Sequence, residues 1–142
     1  MEKSVRELTE VANNFIDERD WRQFQTSKDL AENISVEANE LLELFLWKDG
    51  KDLDKNAKED KELMQKIKNE TADVFFGCLA ISDHLNFDLE EAFLSKMGQL
   101  EKRYDKEQVK GKLIKIDEKE WLENQCKKGY ICRFVCRYCW NL

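Results

Sequence analysis

Apolar residues recur at intervals of three and four along most of this chain, the spacing that stacks side chains on one face of an α-helix. Val5, Leu8, Val11, Ala12, Phe15 and Ile16 form such a stripe over residues 4–17. Ser4 with Glu7 has the spacing of a capping box at its start. Asp20-Trp21-Arg22-Gln23-Phe24-Gln25 reads as a short polar-aromatic connection. Thr26 with Asp29 is a second capping signature, and it opens a long helix predicted to end near Trp47. The apolar stripe of that helix is Ile34, Ala38, Leu41, Leu42 and Phe45. Residues 48–60 are a charged stretch around Gly50 and read as a loop or lid. A third helix is predicted from about Glu62 to His84, then a turn at Asn86-Phe87-Asp88, with Asp88 and Glu91 resembling another cap. The fourth helix continues to about Lys106, with Leu89, Ala92, Phe93, Met97, Leu100 and Tyr104 on one stripe. Four amphipathic helices on short links predict an all-α fold, a four-helix bundle over residues 1–108. Gly111 breaks the pattern, and residues 109–142 read as a Cys-rich C-terminal appendage of unassigned role.

Composition narrows the picture. A chain of 142 residues suggests one domain with a core of ordinary size, and the lack of proline with only five glycines favours helices. The net charge of −6 argues against a nucleic-acid partner. There is no apolar run of transmembrane length and no secretory signal at the N-terminus, so the expectation is a cytoplasmic protein without membrane contact. Of the five cysteines, Cys78 lies within a helix and Cys126, Cys132, Cys136 and Cys139 crowd the end of the chain. They contain a single C-x-x-C rather than the two knuckles of a zinc ribbon. His84 is the sole histidine and follows neither acid pair described below, which removes di-iron and histidine-ligated zinc chemistry.

The candidate chemistry sits beside two of the apolar stripes. Glu37 and Glu40 flank the stripe of the second helix, and Glu70 and Asp73 stand in the same relation to Ile67 as that pair does to Ile34. If the stripes pack together, the acids converge, and such a cluster calls for a counter-charge. Oxygen-only ligands of this kind suit Mg²⁺ or Mn²⁺. Glu43 lies further round the helix, as an outer ligand or a surface acid. In a chain with 30 acids, a solvated acidic face on a non-catalytic helical partner protein remains the competing reading. Trp21, Phe24 and Trp47 are either core aromatics or stacking surfaces for a nucleobase. Lys96 and Arg103, seven apart on one face of the fourth helix, are either solvated charges or polyphosphate ligands.

Taken together, these residues resemble the MazG-like all-α nucleoside triphosphate pyrophosphohydrolases, especially the dCTP pyrophosphatase branch. The resemblance covers residues 4–106 and rests on Glu18-Arg19-Asp20-Trp21-Arg22-Gln23-Phe24, on Glu37-x-x-Glu40 through Glu43 to Trp47-Lys48, and on Glu70-x-x-Asp73-Val74. Asp88-Leu89, Ser95-Lys96-Met97 and Arg103-Tyr104 complete it. It implies Mg²⁺-dependent conversion of a nucleoside triphosphate to the monophosphate and pyrophosphate. It implies that Glu37, Glu40, Glu70 and Asp73 hold the metal and carry the catalysis. Trp21, Phe24, Gln25 and Trp47 would line the base and sugar pocket, and Lys96 and Arg103 would approach the phosphates. It further implies a homodimer, or a tetramer built from two dimers, with the site at a subunit interface. A dUTPase-like hydrolase on the same all-α plan is the nearest enzymatic alternative. Three positions depart from the family pattern: Gln25 and Ala12 stand where histidines are expected, and Leu100 where asparagine is expected.

Overall fold

The computed structural model describes residues 3–117 and 120–121; Cys126, Cys132, Cys136 and Cys139 lie outside the described residues. The described residues form helices joined by turns and extended links, with no strand among them. In order come α1 (Val5–Asp17), a 3₁₀ turn (Arg22–Phe24), α2 (Ser27–Glu43), α3 (Gly50–Glu59), α4 (Lys61–His84), α5 (Leu89–Arg103) and the short α6 (Lys106–Val109). The chain divides into two compact units, Met1–Ala92 and Phe93–Leu142.

Local chemistry sets the helix starts. Ser4 Oγ accepts from the Glu7 N–H and Glu7 returns the bond to the Ser4 N–H at 2.7 Å, a complete capping box on α1. Thr26 and Asp29 do the same for α2. Asp60 caps α4 by accepting from the Glu62 and Leu63 N–H groups, at 2.9 and 3.0 Å. Asp88 accepts from the Glu91 N–H at the start of α5, as the sequence suggests.

Two expectations need correction. The stretch 48–60 is not a loop: Asp49 caps a ten-residue helix, α3, by accepting from the Lys51 and Asp52 N–H groups. Its only buried side chains are Leu53 and Ala57, one turn apart, so its apolar stripe is too thin to stand out among the charges. The second helix stops at Glu43 rather than Trp47. Phe45 and Leu46 donate to carbonyls three residues back, a tightening turn, and Trp47 has φ +61°, which cannot continue a right-handed helix.

Within the first unit, α4 is the central element: α2 packs on it most extensively, then α1, then α3. The buried nucleus is Ile16 of α1, Leu30 of α2 and Ala80 of α4, with Phe76 and Ile81 packed against it. Gly77 brings α2 and α4 close together. A Cβ built there would lie 2.6 Å from Ile34 Cγ1, so the contact requires the missing side chain. Burial on the long helices differs from the expected stripes in two places. On α1, Val11 and Phe15 stay exposed while Ala12 and Ile16 are buried. On α2, Ala38 and Leu42 are exposed, and the inward face runs Leu30, Ile34, Glu37, Leu41 and Leu44. In the second unit, the Ile116 N–H donates to the Tyr104 hydroxyl oxygen at 3.4 Å.

Candidate active site

The inward face of α2 contains a carboxylate. Glu37 is half-buried, in line with Leu30, Ile34 and Leu41 rather than on the flank where the sequence pattern puts it. Glu70 does the same on α4, half-buried between Ile67 and Val74. Because α2 and α4 form the main helix pair, two acids at stripe positions face a common seam. Asp73, one turn beyond Glu70, joins them from a more exposed position. One carboxylate oxygen from each of Glu37, Glu70 and Asp73 lies within 4.8 Å of the other two. Glu40 lies outside this group and is exposed.

The electrostatics follow from that placement. The Glu37 carboxyl is pushed above its ordinary value of 4.5, first by burial and then by repulsion from Glu40, Asp73 and Glu70. The charge of Glu40 is therefore felt at the cluster although its oxygens are not part of it. Three acidic oxygens at this separation fit the donor set of a hard divalent cation.

An apolar groove of about 480 Å³ opens beside the acids. Leu8, Val11 and Phe15 of α1 face Phe75, Phe76 and Leu79 of α4 across it, and Asp73 forms part of its wall. Beyond Phe15 stands the aromatic turn. The Trp21 ring meets Phe15 edge to face at 5.7 Å, and Phe15 meets Phe76 the same way at 6.0 Å. Arg19 covers the Phe15 ring, its guanidinium carbon 3.7 Å from the centroid. A continuous path of aromatic surface thus runs from Asp73 to Trp21. Trp21 is legible in the sequence as a stacking candidate, whereas Phe15, Phe75 and Phe76 are not. Spaced as core positions, they carry no signal that their faces stay open.

The other candidates are placed as follows. Phe24 is 70 % exposed, and Gln25 is half-buried at the end of the 3₁₀ turn. Trp47 is 98 % exposed just beyond α2, which removes it from the core of this chain. Lys96 and Arg103 belong to the second unit: Lys96 is exposed on α5, and the half-buried Arg103 holds its guanidinium carbon 5.2 Å from the Tyr104 ring centroid. Ala12, at one of the positions where the family pattern has histidine, lines the groove.

The model of the MazG-like family matches residues 33–126, which is most of the chain and includes both acid pairs. The chain belongs to the MazG-like family. Among curated proteins, this MazG-like chain is 30 % identical over 117 residues to dCTP pyrophosphatase 1 of Rattus norvegicus, covering 82 % of this chain and 68 % of the rat protein. The Homo sapiens dCTP pyrophosphatase 1 is 30 % identical over 103 residues, covering 72 % of this chain and 60 % of that protein. Among solved structures, a pyrophosphatase from Archaeoglobus fulgidus superposes with a TM-score of 0.65 at 31 % identity, covering 74 % of this chain and 95 % of that one. The family, these relatives and the all-helical fold make the MazG-like chain a nucleotide pyrophosphohydrolase. No helix among its described residues is long and apolar enough to cross a membrane.

Proposed function

We propose that this MazG-like protein hydrolyses a (deoxy)nucleoside triphosphate, dCTP or a non-standard nucleotide, to the monophosphate and pyrophosphate, with Mg²⁺ as the cofactor. The observation that carries the reading is the meeting of Glu37, Glu70 and Asp73 at the edge of an aromatic groove. It unites a cation site with an apolar wall for a base. Glu37, Glu70 and Asp73 would hold the metal, with Glu40 at its margin. The chemistry a divalent cation would supply when held there is charge neutralisation and a more acidic water.

The chain's own groups supply the rest. Burial and the neighbouring acids raise the Glu37 carboxyl, and a cation held in the cluster would oppose that shift. Glu40 is near enough to act on the cluster's charge yet outside the gathered oxygens, so its carboxylate is free to take a proton from an attacking water. Trp21 and Phe24 offer π-faces to the base, and Phe15 and Phe76 form the wall that leads toward Asp73. A second copy of the chain covers the exposed α1 and α4 apolar faces in this reading, as a homodimer or a dimer of dimers. Trp47, 98 % exposed beyond α2, would offer a further stacking face, as the family resemblance implies.

The test is a panel of dNTPs and NTPs with Mg²⁺, reading monophosphate and pyrophosphate. Release from dCTP or a modified nucleotide is the expected result. Activity confined to dUTP supports the dUTPase-like alternative, and no pyrophosphate from any nucleotide overturns the proposal. Glu40→Gln is expected to lower turnover by at least about 10²-fold with unchanged helical circular dichroism; wild-type turnover removes Glu40 from the mechanism.

A further inference from the structure

We propose that Arg22 is a positioning residue that sets where the Trp21–Phe24 turn stands against the α1–α4 groove; this rests on the base-contacting role proposed for that turn. The turn's other ties are local: Gln23 Nε2 donates to the Asp20 carbonyl and carboxylate at 3.0 and 2.7 Å, and the Trp21 N–H donates to Ile16 O at 3.1 Å, and none of these reaches α4. The turn buries no residue and no side chain caps its start. Its own backbone bonds are Phe24 N–H to Trp21 O at 3.0 Å and Gln25 N–H to Arg22 O at 3.1 Å. A single 3₁₀ turn of this kind is marginal in isolation. It enters through Asp20 at φ +52°, a left-handed conformation that aspartate adopts more readily than most residues.

Arg22 supplies a long-range tie. Its Nε and Nη2 donate to the two carboxylate oxygens of Asp17, the last residue of α1, with Nη2 to Oδ2 at 3.2 Å. Its Nη1 donates to Asp83 Oδ2 at 2.8 Å, near the end of α4 and 61 positions away in sequence. The guanidinium fork thus joins both helices that wall the groove to the residue adjoining Trp21. Lysine offers no such planar, three-bond geometry. Two carboxylates around one guanidinium also occupy its charge, which fits Arg22 for holding the fold rather than for gripping phosphate. The Asp17 carboxyl is accordingly held below its ordinary value, chiefly by this bond. With Arg22 anchored on both sides, the Trp21 ring stands nearly perpendicular to the Phe15 ring, centroids 5.7 Å apart.

The experiment compares the full-length parent with Arg22→Gln, Arg22→Lys and Asp83→Asn, using whichever nucleotide of the panel is turned over best. Two partly exposed ion pairs predict a rise in KM of about five-fold in Arg22→Gln with kcat within about two-fold of the parent. Arg22→Lys and Asp83→Asn should fall between the two. Hydrogen exchange at the Phe24 and Gln25 amides should accelerate in the same order. An unchanged KM, or a loss confined to kcat, overturns the positioning role. Should Arg22→Gln fail to fold, the two milder variants decide by the same readouts. A parent that releases no pyrophosphate from any nucleotide defeats the functional reading instead. Exchange at the two amides then judges the clamp, and unchanged exchange in the variants overturns it.

Discussion

Glu37 carries a conflict that a single substitution makes measurable. Its carboxyl is raised above 4.5 in the folded chain by burial and by the acids around it. A raised acid binds its proton more tightly folded than unfolded, so its favourable contribution is complete below about pH 4.5 and is lost as pH climbs through the raised value. In chelator at pH 7, Glu37→Gln is therefore expected to melt at a higher temperature than the parent, and the gap should close as the pH falls toward 4.5. Adding Mg²⁺ should stabilise the parent much more than the variant. The lowered carboxyls of Asp17, Asp29 and Asp88 contribute in the opposite sense, losing stability as the pH falls. Both proteins share them, so the difference between the melting curves isolates Glu37. A variant less stable than the parent at every pH would show that Glu37 is a structural group rather than a strained ligand. The kind of residue was legible in the sequence. Its angle was not, because a period of three and four cannot separate the edge of a stripe from its centre without knowing which neighbour the helix meets.

At the scale of elements, the seam between α2 and α4 determines whether the acids meet. Gly77 is one turn beyond Asp73 on α4, and it faces Ile34, one turn before Glu37 on α2. Gly77→Ala would gain about 1 kcal/mol of helix propensity and lose roughly 1–3 kcal/mol to overpacking against Ile34. The net expectation is a lower urea midpoint, weaker divalent-cation binding, and partial recovery of both in the Gly77→Ala/Ile34→Ala double variant. An unchanged midpoint would mean that Ile34 re-rotates at no cost. The starts of α1, α2 and α5 were readable because a cap is written in residues three apart. The identity of α3 was not, since two buried side chains among alternating charges leave almost no periodic trace.

For the molecule as a whole, the telling feature is apolar surface left open. Val11, Phe15 and Phe75 are 52, 42 and 40 % exposed around one groove. In the proposed assembly a second copy packs over the part of this patch that the base leaves open. Sedimentation is expected to give a dimer or tetramer, and Val11→Glu with Phe75→Glu should shift it toward monomer while pyrophosphate release falls. A monomeric, fully active parent would remove the assembly from the mechanism.

The amino-acid sequence alone determined the all-α class, most helix boundaries and the residue types of the acidic cluster, since these depend on contacts within a few positions. Tertiary packing decided that Glu37 points inward, that Glu40 stands outside the gathered oxygens, that Trp47 is exposed, and that Phe15 and Phe75 stay open along a groove rather than filling the core. The physical reason is one of range. A cap or an amphipathic stripe is satisfied locally, whereas a shared cation site and an open groove depend on how closely α1 and α2 approach α4, and Gly77 and Ile34 govern the α2 approach.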